Sequence, residues 1–268
     1  MNFNISEKET IKNDTRMISN NKVSNSKSKL VIAYSLFGND AIYLDGAIKN
    51  AQQALVLYPE WQARFYVDDT VPQDTITILK TYNAEIIIKP TSNGSSGMFW
   101  RFEPLFEPNT IMLSRDVDSR LSLRERDAVN EWLASTASFH IMRDHKFHTS
   151  KILGGMFGAK PNPNILRKKA IFSHFYNGDK YGADQFFLSR IIYPLIKNDV
   201  VIHSSGVKYD NEQIISFPSK NEDFSYVGMA WRGQEPLTAF IDEEHIQVHT
   251  TKREFYQILK YRLVALFW

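Results

Sequence analysis

The chain has 268 residues, 43% hydrophobic and 13% aromatic, enough for one large core without covalent staples. Lys+Arg 32 against Asp+Glu 30 leaves a formal charge of +2, so there is no excess of cations to neutralise a polyphosphate backbone, and nucleic acid is excluded as a bulk partner. Cys 0 excludes disulfides, thiolate metal sites and a cysteine nucleophile, and it fits a reducing, cytoplasmic setting.

No stretch approaches the roughly 18 consecutive apolar residues of a membrane-spanning helix. Residues 1–29 are rich in Asn, Ser and Lys and lack the apolar core of a signal peptide, so they read as a disordered lead-in. The sequons at Asn4, Asn13 and Asn93 matter only in a secretory lumen and are taken as chance matches.

From Leu30 the pattern changes. Leu30 to Phe37 is an apolar run closed by Gly38-Asn39-Asp40, a buried strand ending in a turn. Leu44, Ala47, Ile48, Ala51, Ala54, Leu55 and Leu57 recur at helical spacing until Tyr58-Pro59 stops them. A second strand, Ala63 to Val67, runs into Asp68-Asp69. A helix through Ile76, Leu79 and Tyr82, the strand Ala84 to Ile88 and a Gly/Ser loop over 92–97 follow. Next come a short aromatic helix, Met98 to Phe102, and the strand Thr110 to Leu113, which ends in Ser114-Arg115-Asp116-Val117-Asp118-Ser119-Arg120. Beyond lie a helix over 123–134, a strand over 138–142, a loop with Asp144, His145 and His148, the segment Gly154 to Lys160, a helix after Pro163 and another over 183–192. Alternating strands and helices predict an α/β fold, a mostly parallel twisted sheet with helices on both faces.

Ligands of such sheets bind beyond the carboxyl ends of the strands, where loops and helix N-termini converge. Asp68 and Asp69 stand at one such end, Asp116 and Asp118 at another. Residues two apart on extended backbone point to the same side, so Asp116 and Asp118 can present two carboxylates to one point. That oxygen-rich pair suits Mn²⁺ or Mg²⁺, which would bridge a substrate diphosphate, and Arg101, Arg115 and Arg120 would meet phosphate oxygens. An exposed acidic turn capped by arginines is the structural alternative.

With these features on residues 30–209, the chain resembles the GT-A glycosyltransferases, whose nucleotide-sugar domain is an α/β sheet with a DxD after a central strand. The resemblance rests on the first strand, the acidic end of the second, Trp100-Arg101-Phe102, Arg115 to Arg120 and Gly154 to Gly158. It implies that Asp116 contacts the sugar or ribose and the metal, and that Asp118 ligates the metal carrying a UDP- or GDP-type diphosphate. Asp68, Asp69, Arg101, Arg115 and Lys208 join as donor-binding candidates. His203-Ser204-Ser205-Gly206-Val207-Lys208-Tyr209 matches His, Gly and Lys of the family 8 HxxGxxKPW motif but has Tyr209 in place of Pro, and it offers His203 as a third metal ligand. Asp184 at a helix start resembles the base that deprotonates the acceptor hydroxyl in inverting members, or else is a carboxylate stabilised by the helix dipole.

The expected activity is transfer of a hexosyl group from a nucleotide-diphosphate sugar to a glycan or lipid-linked acceptor of bacterial surface-glycan type. The alternatives are a nucleotide-sugar-forming nucleotidyltransferase and a non-catalytic carbohydrate-binding protein. The first lacks its glycine-rich basic loop, since Gly38-Asn39-Asp40-Ala41 has one glycine and no Lys or Arg. The expected organisation is a lead-in over 1–29, a GT-A-like catalytic domain over 30–235 and a helical extension over 236–268. In the extension, Phe255, Ile258, Leu259, Leu263 and Leu266 form an apolar stripe beside Lys252, Arg253, Lys260 and Arg262. It either packs on the domain or docks peripherally on an anionic inner membrane face.

Overall fold

The computed structural model describes residues 28–92, 96–176, 182–209, 211–220 and 225–237. Residues 1–27 of the expected lead-in and 238–268 of the expected C-terminal extension lie outside the described residues, and Lys29, placed in the lead-in, already begins the first strand.

An eight-stranded sheet organises the chain, with strands β1 (Lys29–Leu36), β2 (Gln62–Val67), β3 (Glu85–Ile88), β4 (Thr110–Arg115), β5 (Phe139–Arg143), β6 (Met156–Ala159), β7 (Val200–Ser204) and β8 (Ile214–Ile215). Their spatial order is β3-β2-β1-β4-β6-β5-β7-β8. Every pairing is parallel except the two made by β6, which runs antiparallel between β4 and β5. A small hairpin, β9 (Trp231–Arg232) and β10 (Glu235–Pro236), stands apart from it. The mostly parallel α/β sheet is as expected. Its antiparallel strand comes from the segment read only as glycine-containing, because a four-residue buried strand carries no alternation to mark it.

Both faces are covered. On one, α1 (Ala41–Leu57), α2 (Gln73–Thr81) and α3 (Leu123–Ala134) lay Ala47, Ala51, Ala54, Ile76, Leu79, Val129 and Trp132 over Ile32, Tyr34, Phe65 and Leu113. On the other, the 3₁₀ segment Ser96–Phe106 and α4 (Pro163–Leu166), α5 (Lys169–Tyr176), α6 (Ala183–Phe187) and α7 (Tyr193–Ile196) pack Phe99, Trp100, Phe102, Ile165, Phe172, Phe187 and Ile196 on Val31, Ala33, Met112, Ile141 and Phe157. The aromatic run read as a short helix is thus a longer 3₁₀ segment, with Pro104 inside it. The helix expected over 183–192 continues through a π turn at Leu188–Ile192.

Local chemistry sets the helix ends. Asp40 caps α1 by accepting the Ile42 amide at 3.0 Å, and Ser122 caps α3 by accepting the Glu125 amide at 3.1 Å. Among the described residues no helix is long and apolar enough to cross a membrane.

Candidate active site at the end of β4

Strand β4 delivers its last residues to the centre of the sheet's carboxyl edge, beside β1. Asp116 and Asp118 follow immediately, and three sets of contacts fix their turn. Ser119 donates through its hydroxyl to the Asp116 carbonyl at 2.8 Å. Asn50 on α1 donates its amide to the carbonyls of Val117 (3.0 Å) and Ser119 (2.8 Å) and accepts the Leu121 N–H at 3.3 Å. Trp231 of β9 donates its amide to the Asp118 carbonyl at 2.8 Å.

The Asp116 side chain is 41% exposed and ion-paired to the Arg101 guanidinium, which comes from the 3₁₀ segment. It lies so close to the chain at Gly155 that a Cβ there would stand 1.9 Å from Oδ2. At Gly154 a Cβ would lie 2.5 Å from an Arg101 nitrogen. The two glycines therefore admit Arg101 and Asp116. Ser114 donates to the Gly154 carbonyl at 2.6 Å, and Gln185 accepts the Gly154 amide at 3.0 Å while donating to the Ile152 carbonyl at 2.9 Å.

Arg101 also faces Asp184, its second terminal nitrogen lying 3.8 Å from Oδ2. One buried guanidinium thus stands between the DxD and the start of α6. Asp184 is 2% exposed, and its Oδ2 accepts no hydrogen bond among the described residues. Burial pushes its pKa up against the pull of Arg101. Asp118 is raised to about 6 by burial and then by the neighbouring Asp116 charge, with Arg101 and Arg120 opposing. A carboxyl whose ionisation is opposed by burial and by a neighbouring carboxylate is one that a cation would relieve.

Other expected residues lie elsewhere. Arg115 is 1% exposed and points to the face opposite Asp116, where it pairs with Glu125 at 2.7 Å and donates to the Ser114 and Phe157 carbonyls. It is a core ion pair, and the phosphate role expected of it is corrected, because strand alternation sends residue 115 away from the side taken by 116. His203 is corrected for the same reason. It is fully buried on the α3 side, three strands or about 14 Å from β4. Its Nδ1 lies 2.8 Å from His140 Nε2, and its Nε2 lies 3.1 Å from Glu131. Lys208 is exposed in the β7–β8 connection, on the β7 flank.

Asp68, 2% exposed, organises the loops beyond β2 and β3. It accepts the amides of Thr70 (3.1 Å) and Ser92 (2.9 Å) and the Thr70 hydroxyl. Asp69 accepts the Thr91 hydroxyl at 2.8 Å and stays exposed. Arg120 is held by the carbonyls of Ser119 (2.9 Å) and Gly233 (3.3 Å). Among the described residues no group of three or more His, Asp or Glu could by itself hold a metal. Sequence reasoning passed over Asn50, Ser114 and Gln185. Asn50 had a signal, a polar residue at helical spacing inside the Ala47–Ala51–Ala54 stripe.

No family model matches the chain, and no curated protein matches it. Solved structures similar to it include a glycosyltransferase involved in glycosylation of the major capsid of PBCV-1, at 12% identity and TM-score 0.42, covering 66% of this chain and 81% of that one. A glucosyl-3-phosphoglycerate synthase from Mycobacterium tuberculosis, in complex with Mn²⁺, UDP and phosphoglyceric acid, matches at 12% identity and TM-score 0.36, over 50% of this chain and 56% of its own. The 4-diphosphocytidyl-2C-methyl-D-erythritol synthase of Anaerococcus prevotii matches at 13% identity and TM-score 0.44, over 66% and 87%. Likeness at this level leaves the fold assignment to the chain's own strand order.

Proposed function

We propose that this protein is a GT-A-like, metal-dependent glycosyltransferase that moves a sugar from a nucleotide-diphosphate donor to a glycan or lipid-linked acceptor. The observation that carries this reading is the Asp116–Asp118 turn, built at the carboxyl end of a central strand, braced by Asn50 of α1, by Trp231 of β9 and by Ser119 within the turn, and given room by Gly155. A carboxylate pair needed only for the fold would not require Gly155 to yield space to an exposed oxygen.

The residues suit a divalent cation. Burial first, and then the Asp116 charge, hold the Asp118 carboxyl up at about 6, and two carboxylates with diphosphate oxygens and water are the usual shell of Mg²⁺ or Mn²⁺. Asp116 and Asp118 would hold it, and the ion would supply positive charge to the leaving diphosphate. Arg101 keeps Asp116 aligned and balances Asp184. Asp184, at the start of α6 beside Arg101 and with a pKa raised by burial, is the proton acceptor we assign to the acceptor hydroxyl. Asp68 and Asp69 frame the neighbouring β2 edge, on the side where a nucleotide would lie.

The β1 loop disfavours a nucleotidyltransferase, since Asp40 caps α1 and Gly38 donates its amide to Thr70 at 2.6 Å, with no Lys or Arg to cradle a triphosphate. A thermal-shift screen of nucleotide sugars with and without Mn²⁺ tests the proposal, because a ligand that binds the folded state raises Tm. A rise with UDP- or GDP-sugars only when Mn²⁺ is present supports it. No rise with any nucleotide sugar would count against it.

A further inference from the structure

Strand β3 (Glu85–Ile88) ends the sheet on one side, and among the described residues it pairs with β2 alone. It reads Glu85-Ile86-Ile87-Ile88 and runs into Lys89-Pro90. Lys89 donates its amide to the Val67 carbonyl at 2.7 Å, so by alternation Glu85 and Ile87 also face β2, while Ile86 and Ile88 turn their N–H and C=O groups outward. The register with β2 is unbroken from Glu85 to Ile88, so no bulge twists this edge away. Ile88 is 70% exposed, and Ile86 and Ile87 are half-buried. Natural sheets interrupt such an edge with a charge or cover it, because outward amides and carbonyls between apolar side chains are a template for another strand.

The edge is complementary to itself. Antiparallel pairing of two copies about Ile87 sets Ile87 opposite Ile87, Ile86 opposite Ile88, and Glu85 opposite Lys89. The outward groups of Ile86 and Ile88 then exchange about four hydrogen bonds across the two-fold axis. Ile86 packs on the core beneath α1 and α2, and Ile87 on the core of the other face. Ile88 shares the side of Ile86, so the pairing gives its exposed side chain an isoleucine to meet. Glu85 already bonds Lys29 and Arg64, and Lys89 bonds Glu103, so the pairing leaves no charge without a partner and sets opposite signs across the axis. A parallel pairing would set Glu85 against Glu85 and Lys89 against Lys89, which is unfavourable. The opposite edge, β8, has two residues and offers too few groups for the same purpose.

We propose that β3 is a dimer interface, at which two copies of this chain join edge to edge, antiparallel and centred on Ile87, into one continuous sheet. β3 lies three strands from β4, so each copy keeps its own Asp116–Asp118 turn, and the inference is independent of the glycosyl-transfer reading.

Four strand residues a side make a small contact, so the dimer is expected to be weak and reversible. Sedimentation velocity on the full chain between about 1 and about 200 µM reads it, with the midpoint expected inside that range. Ile88→Lys, at an exposed position, is expected to leave circular dichroism unchanged and to raise the dissociation constant about tenfold or more. The chain has no cysteine, so Ile87→Cys introduces its sole thiol. In a non-hydrogen-bonded antiparallel pair the two Cα atoms stand about 4.5 Å apart, within reach of a disulfide. Mild oxidation with oxidised glutathione is expected to cross-link Ile87→Cys about tenfold faster or more than Val56→Cys, whose site is 77% exposed at the end of α1. A single monomeric species over the whole range, equal dimerisation in Ile88→Lys and wild type, or cross-linking of Ile87→Cys no faster than of Val56→Cys each overturns the proposal. Should Ile88→Lys disturb the fold, the cross-linking rates decide.

Discussion

Gly155 leaves free the space that the Asp116 carboxylate fills. The carboxylate of Asp116 lies where the first side-chain carbon of residue 155 would be, at 1.9 Å from it, and the Asp116 amide nitrogen would lie at 2.9 Å. Gly155→Ala must therefore push Asp116 off its present position. We expect a stability cost of about 1–3 kcal/mol from overpacking and nucleotide–Mn²⁺ affinity lowered by about tenfold or more. Urea denaturation and calorimetry read the two effects, and unchanged affinity in the variant would show that the placement of Asp116 is immaterial.

Arg101 is 5% exposed and faces two carboxylates, one of them nearly inaccessible. Removing it leaves Asp184 as a buried charge with no cation beside it. Arg101→Met should cost about 3–5 kcal/mol, the usual penalty for breaking a buried pair. Asp184→Asn in the same background should restore part of that loss. Additive losses in the double variant would contradict the bridge.

If Asp184 takes the proton of the acceptor hydroxyl, Asp184→Asn cuts turnover by about 10² or more while leaving donor binding in place. Its raised pKa gives the wild-type rate a fall on the acid side, and that limb should vanish from the residual rate of the variant. Near-normal turnover would reduce Asp184 to a partner of Arg101.

Acid should weaken the fold in two stages. Burial holds the imidazoles of His140, His148 and His203 below their ordinary value, with His148 at about 4. The unfolded chain takes up these protons near pH 6.5 and the folded chain does not, so stability falls as pH drops below about 6.5. Glu212 acts lower down. Burial alone would raise its pKa, but hydrogen bonds from Arg143, Tyr193 and the Tyr209 amide leave it lowered, so its contribution is present above the ordinary carboxylate value and lost as pH falls through the lowered one. Urea midpoints at pH 8, 6, 5 and 4 check this, and His148→Gln should flatten the slope between about 6.5 and 4. Asp118 and Asp184, whose pKa values burial raises, take up protons first in the folded chain and oppose this loss, so the slope is read as the difference between wild type and His148→Gln, and equal slopes in the two would contradict it.

The sheet was legible because its strands are apolar runs punctuated by turns, and the DxD was legible because it closes one of them. What the residue order does not carry is the side of the sheet on which a strand-end residue emerges. Arg115 and Asp116 are neighbours, yet one enters the core beside Glu125 and the other meets Arg101 at the mouth of the site. His203 stands at a strand end as a metal ligand should, but its alternation turns it towards His140 and Glu131 behind the sheet. The short antiparallel β6 was hidden for another reason. Its neighbours supply the pairing that its four residues cannot announce.

The central claim is that Asp116 and Asp118 hold a divalent ion that carries a nucleoside diphosphate. Calorimetric titration of UDP and of GDP, each with Mn²⁺, into the wild type, Asp116→Asn and Asp118→Asn tests it most directly. Mn²⁺-dependent binding in the wild type, weakened by about 10² or more in both variants with unchanged circular dichroism, is the predicted result. Equal affinity in all three proteins, or no Mn²⁺-dependent binding in the wild type, would contradict it.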